Sequence, residues 1–139
     1  MTEPETLRAR LVVATGNRCG YCQAQQQYLY EPLHLEHLLP RARGGSSDEG
    51  NLWLACSLCN RYKGDRTHSR DPVTGRRVRL FNPRHQRWHR HCRWSADGTE
   101  ILGQTVCGRA TVVALQLNND LAVLVRRNWI RAGWHPPAD

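Results

Sequence analysis

Two cysteine pairs of identical spacing constrain this chain more than any other feature of its sequence. The first pair is Cys19 and Cys22, and the second is Cys56 and Cys59. A Cys-x-x-Cys turn directs two thiolates to one point, so two such turns can complete a tetrahedron around Zn²⁺. We therefore predict a structural zinc site with these four ligands, because a dithiol redox centre needs only one pair. The alternative is a set of four unrelated core thiols.

The charge of the chain indicates the class of its partner. Among its 139 residues, 20 are basic and 12 are acidic, which gives a net charge of +8 and a pI near 9.8. A surplus of this size favours a polyanion, most simply nucleic acid. The alternative is an arginine-rich proteome that implies no particular partner.

The basic residues concentrate in one stretch. Ten arginines fall between residues 61 and 93, where only Asp65 and Asp71 oppose them. We expect this stretch to contact phosphates, although such a run is also typical of a solvated face. The side chains that we assign to nucleic-acid binding are Arg61, Lys63, Arg76, Arg77, Arg79 and Arg84.

The apolar residues are distributed as in a water-soluble protein. No apolar run approaches the ~18 residues that a membrane span requires. The first ten residues lack the charged-then-apolar layout of a signal peptide. We therefore expect a cytoplasmic protein with no membrane partner, and we leave open whether it is a monomer or a homodimer.

Apolar spacing and turn residues predict the main elements. A helix is expected over 5–16, and a short strand within 33–38, where apolar and polar residues alternate. A further helix begins near Ser57. A hairpin is expected over 91–106, with its turn at Asp97-Gly98. Two helices follow within 109–131, and Asp120 is the candidate cap of the second.

The stretch between the two cysteine pairs contains groups that can hydrolyse a phosphodiester. A carboxylate and an amide on neighbouring elements can bind a hard cation such as Mg²⁺ through oxygen. A histidine beside that cation can deprotonate water at neutral pH. Glu36 and His37 are adjacent on the predicted strand, so their side chains point to opposite faces unless the strand bends there. The simpler alternatives are a solvated strand end for this pair and a helix cap for Asn51.

The order and spacing of these residues resemble the HNH endonuclease family. The resemblance covers residues 19–64, about a third of the chain. Weaker similarity over 80–84 and 108–111 is to small stand-alone bacterial HNH proteins. The matching positions are Cys19, Cys22, Glu36, His37, Pro40, Gly44, Gly45, Asn51, Leu52, Cys56, Cys59, Asn60 and Lys63.

The resemblance implies a role for each residue at the centre of the motif. His37 would be the general base, and Asn51 would position that base or its loop. Glu36, where Asp is more usual, and Asn60 would bind a catalytic Mg²⁺ or Mn²⁺. His34 lies two residues before Glu36, so we leave it open between a role near the metal and a structural histidine.

Together these inferences define the expected protein. We predict an α+β fold with a zinc-stapled ββα-metal core over 19–64, preceded by a helix. A basic connecting segment over 65–93 and a hairpin with helices over 94–135 complete one domain, residues 1–139. The expected function is metal-dependent hydrolysis of DNA phosphodiester bonds, with RNA left open. The alternative is a zinc-stapled nucleic-acid-binding module whose HNH site is inactive.

Overall fold

A computed structural model describes residues 6–138, and its backbone divides into two compact units. The first ends at Asp65 and the second begins at Arg66. The sequence was interpreted as one domain over 1–139. Whether the two units unfold together depends on their cooperativity, so the single-domain expectation stays a prediction.

The first unit opens with helix α1, Leu7–Thr15. Thr6 caps the helix by accepting a hydrogen bond from the Ala9 amide, and Gly16 ends it in the left-handed conformation. The helix packs against the second strand of the unit and buries Leu11 completely. The predicted helix is confirmed over the described residues; position 5 of that prediction lies outside them.

Two short strands and a helix form the centre of the first unit. Strand β1, His34–His37, pairs antiparallel with β2, Leu52–Ala55, and Glu36 lies opposite Trp53. Helix α2, Ser57–Lys63, follows directly. The order strand, strand, helix is the expected ββα arrangement. Strand β1 and the start of α2 were predicted, whereas β2 was not assigned from the sequence.

The second unit begins with a hairpin in the stretch that was predicted as a basic connecting segment with a turn at 71–75. Strand β3, His68–Arg70, pairs antiparallel with β4, Arg77–Arg79. The fully buried Asp71 organises the turn between them: its carboxylate accepts hydrogen bonds from the amides of Val73 and Thr74 and from the Thr74 hydroxyl. Because these hydrogen bonds hold the buried Asp71 carboxylate within the turn, this stretch forms an ordered hairpin.

Helix α3, Trp88–His91, leads into the hairpin that the sequence did predict. Strand β5, Cys92–Trp94, pairs antiparallel with β6, Ile101–Gly103. The turn includes Asp97-Gly98 as expected, and the Asp97 carboxylate accepts hydrogen bonds from Ser95 and Thr99.

Two helices complete the second unit. Helix α4, Val106–Ala114, begins three residues before the predicted start, because the Thr105 hydroxyl caps it. Helix α5, Asp120–Ala132, is capped by Asn119, whose side chain accepts from the Ala122 amide. The assignment of the cap to Asp120 is therefore wrong by one residue. Apolar residues from β6 and the α4–α5 connection, Ile101, Leu115 and Leu117, are buried in this unit.

The observed fold class is α+β, with short antiparallel strand pairs and helices in both units. No helix within residues 6–138 is long and apolar enough to cross a bilayer.

Candidate metal centre and active site

The four paired cysteines converge in the first unit. Their Sγ atoms all lie within 4.8 Å of one another, and Cys22 Sγ is 3.6 Å from Cys56 Sγ. Four thiolates at about 2.3 Å from one Zn²⁺ would be about 3.8 Å apart in a regular tetrahedron. The cluster is therefore compatible with zinc, as predicted.

Backbone contacts hold both cysteine turns in place. The Tyr21 amide approaches Cys19 Sγ at 3.5 Å, and the Cys59 amide approaches Cys56 Sγ at the same distance. The Gly20 amide donates to the Leu54 carbonyl, which ties the first turn to β2. Each turn thus directs an amide hydrogen at a sulfur, which favours the thiolate that a metal requires.

The ionisation of the cluster also fits a cation. Burial raises the pKa of the Cys19 thiol well above its usual range. Contacts with the other three sulfurs lower the pKa of the Cys56 thiol. Four crowded thiols therefore compete for protons, and a divalent cation removes this competition by stabilising all four as thiolates.

Asn51 clamps the loop between the two strands. Its side-chain oxygen accepts from the Leu39 amide at 2.8 Å, and its nitrogen donates to the carbonyls of Leu39 and Ser46 at 3.0 and 2.8 Å. A Cβ atom at Gly45 would lie 1.7 Å from the Leu39 oxygen, so only glycine fits there. Of the two roles that the family resemblance offers Asn51, these contacts favour positioning of the loop.

The imidazole of His37 is half-buried at the end of β1. Its Nε2 lies 3.0 Å from the Ser47 hydroxyl, which is carried by the loop that Asn51 clamps. Desolvation, followed by the charges of Arg41 and Lys63, lowers the pKa of His37. This shift favours the neutral imidazole, the form that accepts a proton. Ser47 was not singled out from the sequence, since serine in a glycine-rich loop is unremarkable there.

Glu36 is buried, and it forms an ion pair. Its Oε1 accepts a hydrogen bond at 3.0 Å from Lys63 Nζ, which also donates to the carbonyls of His37 and Leu38. Glu36 Oε2 is buried and has no hydrogen-bond partner within residues 6–138. Burial raises the pKa of this carboxyl, whereas Lys63 lowers it. One carboxylate oxygen is thus held by a cation and the other is left for a further ligand.

The position of Lys63 differs from its predicted role. We expected a contact with nucleic acid, but the side chain is buried and all three donor contacts described above are internal. In this structure Lys63 is the counter-ion of Glu36. The sequence offered one signal for an internal role. Lys63 follows Asn60 by three residues on the predicted helix, so it shares the side of α2 that carries a residue assigned to the site.

Asn60 and His34 occupy different environments. Asn60 is half-buried on α2, on the same side as Lys63, because residues three apart on a helix are neighbours. Within residues 6–138 its side-chain amide has no hydrogen-bond partner. His34 is exposed, and its Nε2 lies 3.9 Å from Glu31. It shares neither the burial nor the partner of Glu36, although both belong to β1.

The remaining residues assigned to nucleic-acid binding are distributed over both units. Arg61 is exposed on α2 in the first unit. Arg76, Arg77 and Arg79 are exposed in the second unit, on the β3–β4 turn and on β4, and Arg84 is half-buried.

One comparison with known proteins finds a similarity for the segment that contains the cysteine cluster. The family model described as HNH endonuclease matches residues 19–66. No curated protein and no solved structure matches the chain. The matched segment contains the four-cysteine cluster, the β1–β2 pair and α2, together with Glu36 and His37. Residues 19–66, about a third of the chain, are therefore similar to the HNH endonuclease family.

Proposed function

We propose that this chain is a metal-dependent endonuclease that hydrolyses DNA phosphodiester bonds, with RNA left open as a substrate. The observation that carries the proposal is the pairing of adjacent side chains on β1. His37, whose pKa is lowered, follows the buried Glu36, which has one oxygen without a hydrogen-bond partner within residues 6–138. A site that only binds nucleic acid needs neither a proton acceptor nor a carboxylate oxygen for a cation.

In this proposal His37 takes the proton of the attacking water. The Ser47 hydroxyl contacts Nε2, so Nδ1 is the ring nitrogen left to accept a proton. This requires the tautomer in which Nε2–H donates to the Ser47 oxygen. Asn51 acts through the loop, because its contacts with Leu39 and Ser46 hold Ser47 beside the imidazole.

Glu36 and Asn60 are the residues that would hold the catalytic cation. Within residues 6–138, Glu36 Oε2 is buried without a hydrogen-bond partner, and the half-buried Asn60 lies on α2, the helix that also carries Lys63. Carboxylate and amide oxygens suit Mg²⁺ or Mn²⁺. When bound, such an ion stabilises the negative charge that develops on the phosphate. Lys63 holds the carboxylate in place through Oε1.

The zinc site has a structural role in this account. Cys19, Cys22, Cys56 and Cys59 form a closed set of four ligands, which leaves no position for water or substrate. Their metal would anchor β2 and the start of α2, since Cys56 is the residue that caps this helix. It thereby fixes the helix that carries Asn60.

The Glu36–Lys63 ion pair also favours a second candidate, a zinc-stapled nucleic-acid-binding module with an inactive site. The buried ammonium already neutralises the carboxylate that a cation would need. If the pair persists when DNA binds, no catalytic ion enters and the chain only binds. The expected cytoplasmic location is compatible with either candidate.

Conversion of supercoiled plasmid to the nicked form separates the two candidates. The proposal expects nicking by the purified wild type in Mg²⁺ or Mn²⁺, and none in the same buffer without added divalent ions. Calcium is a useful third arm, because its larger and more flexible coordination shell often supports binding without efficient hydrolysis. Retarded migration of intact plasmid under every ionic condition would instead establish the binding module.

A further inference from the structure

The two units differ completely in charge. Residues 1–65, which include all but the last residue of the matched HNH segment, hold seven basic and seven acidic residues, so their formal net charge is zero. Residues 66–139 hold thirteen arginines and five acidic residues, so they carry the whole net charge of +8. A neutral unit attracts a polyanion weakly at long range, whereas a strongly positive one attracts it well. Affinity for nucleic acid should therefore reside in the second unit.

Within the second unit, the β3–β4 hairpin concentrates positive charge on one face. The strand register pairs Arg70 with Arg77 and His68 with Arg79. Directly paired residues of antiparallel strands point to the same side, and alternate residues of a strand share a side. These four side chains therefore share one face, and the three arginines are exposed. The opposite face carries the half-buried Ser69 and Val78.

The charges on this face are not compensated inside the protein. Within residues 6–138, Arg77 and Arg79 form no ion pair, and Arg70 donates only to the Gly75 carbonyl. Side chains directly opposite on antiparallel strands have Cβ atoms about 5 Å apart, where like charges destabilise the pair. The repulsion between Arg70 and Arg77 therefore destabilises the hairpin in the free protein, and a bound phosphate would relieve it.

The hairpin is held rigidly on the side away from its basic face. Asp71 accepts two hydrogen bonds from the Arg109 guanidinium of α4, at 2.8 and 2.9 Å, in addition to those from its own turn. Helix α4 also packs against both strands. A preformed turn reduces the entropy lost when the arginines engage a ligand.

From these observations we propose that the β3–β4 hairpin is the element that docks on duplex DNA, with its basic face directed at the phosphates of the major groove. A two-stranded ribbon fits that groove, which is about 12 Å wide. The inference deepens the proposed function, since it takes DNA as the ligand. It adds that the neutral HNH unit does not supply the affinity.

The other exposed arginines offer a matched control. Arg127 and Arg131 lie on the surface of α5 in the same unit, and their removal changes the net charge by the same amount. Unlike the hairpin arginines, Arg127 has a nearby carboxylate, Asp97. Equal charge loss has equal effect on long-range attraction, so a difference between the two double variants reports direct contact.

The test measures binding of the full chain to a 30-base-pair duplex of arbitrary sequence, over a range of NaCl and without added divalent ions. Arg77→Ala/Arg79→Ala should weaken binding about tenfold or more and reduce the slope of log K against log salt by up to ~1.8, or ~0.9 per lost contact. Arg127→Ala/Arg131→Ala should change the slope by less than half as much. Arg77→Lys/Arg79→Lys should keep the slope, which separates lost charge from misfolding.

Equal slope changes for the two alanine double variants would overturn the proposal, because binding would then be spread over the unit. An equal loss on a single strand of the same length would overturn its assignment to duplex DNA. The result is independent of cleavage, since no divalent ion is added. A wild type that binds through the hairpin but never nicks plasmid would refute the proposed nuclease and leave this inference standing.

Discussion

The ammonium of Lys63 lies 3.0 Å from Glu36 Oε1, and both side chains are only 3% exposed. The pair joins the end of α2 to β1, so it holds the helix against the strand that bears His37. It also sets the charge of the candidate cation site. A cation that binds at Oε2 meets a carboxylate whose charge Lys63 already balances, which lowers the affinity of the site for the cation relative to an unpaired Glu36.

Replacement of Lys63 by Met leaves a buried carboxylate without its counter-ion. We expect a loss of about 3–5 kcal/mol in the free energy of unfolding, measured by urea titration. The double variant Lys63→Met/Glu36→Gln should regain part of this loss, because the buried charge is then absent. Arg61→Met, on the exposed side of the same helix, serves as control and should stay within about 0.5 kcal/mol of wild type. If Lys63→Met also stayed within about 0.5 kcal/mol of wild type, the ion pair would be unimportant for stability.

Lys63→Met also tests the cation site, because a metal that binds the folded protein raises its melting temperature. Mg²⁺ or Mn²⁺ at Glu36 would replace the missing positive charge, so millimolar metal should raise the melting temperature of Lys63→Met more than that of wild type. Glu36→Gln/Lys63→Met should not respond, since it lacks the carboxylate. An identical response of all three proteins would place the cation elsewhere.

Gly45 is expected to be intolerant of any side chain. A methyl group there would meet the Leu39 carbonyl and the Asn51 side chain, so Gly45→Ala should displace the loop that carries Ser47. Nicking should fall by at least about tenfold while the zinc content stays at one equivalent, because the cysteines are not touched. Gly50→Ala is the matched control, since a Cβ at Gly50 meets nothing within 4 Å. Equal activities of the two variants would contradict the role given to the clamp.

The zinc assignment predicts different behaviour for two cysteine variants. Cys56→Ser should lose most of its zinc and unfold at a much lower temperature, because the metal staples a unit with a small core. Cys107→Ser should retain one equivalent, since Cys107 lies outside the cluster. Zinc is quantified by a colorimetric chelator after denaturation. Full retention of zinc and fold by Cys56→Ser would refute the assignment.

The Asp71–Arg109 pair predicts a pH dependence of stability. The Arg109 guanidinium lowers the pKa of Asp71 below its usual range. A carboxyl whose pKa is lower in the folded state stabilises the fold above its unfolded pKa of about 3.9, and this stability is lost as the pH falls through the folded value. Asp71→Asn should therefore melt below wild type at pH 7, and the difference should narrow between pH 4 and pH 2. A constant difference over this range would show that the carboxylate charge is not involved.

The cysteine spacing and the motif order were sufficient to predict the cysteine cluster, β1 and the start of α2, whereas the roles of Glu36, His37, Asn51 and Asn60 stay predictions. These features depend on residues that are close in sequence or that share one ligand. The β5–β6 turn was predictable for the same reason, since Asp97 forms its hydrogen bonds locally with Ser95 and Thr99.

The features that sequence reasoning missed depend on tertiary contacts. Along β1, Leu35 is 39% exposed and Glu36 is buried, because Lys63 reaches the carboxylate from α2. The β3–β4 hairpin depends on Arg109, which is remote in sequence from the turn that it secures. Neither Lys63 nor Arg109 can be recognised as a partner from the sequence around Glu36 or Asp71.

The measurement that tests the central claim most directly is the single-turnover rate of plasmid nicking by His37→Ala at saturating protein and Mg²⁺. A missing general base should slow the reaction by roughly 10²–10⁴-fold, while duplex affinity stays within about twofold of wild type. His85→Ala, which removes an exposed histidine from the second unit, should cut at the wild-type rate. Nicking by His37→Ala at a rate close to wild type, in a preparation free of contaminating nuclease, would contradict the account and remove His37 from the mechanism.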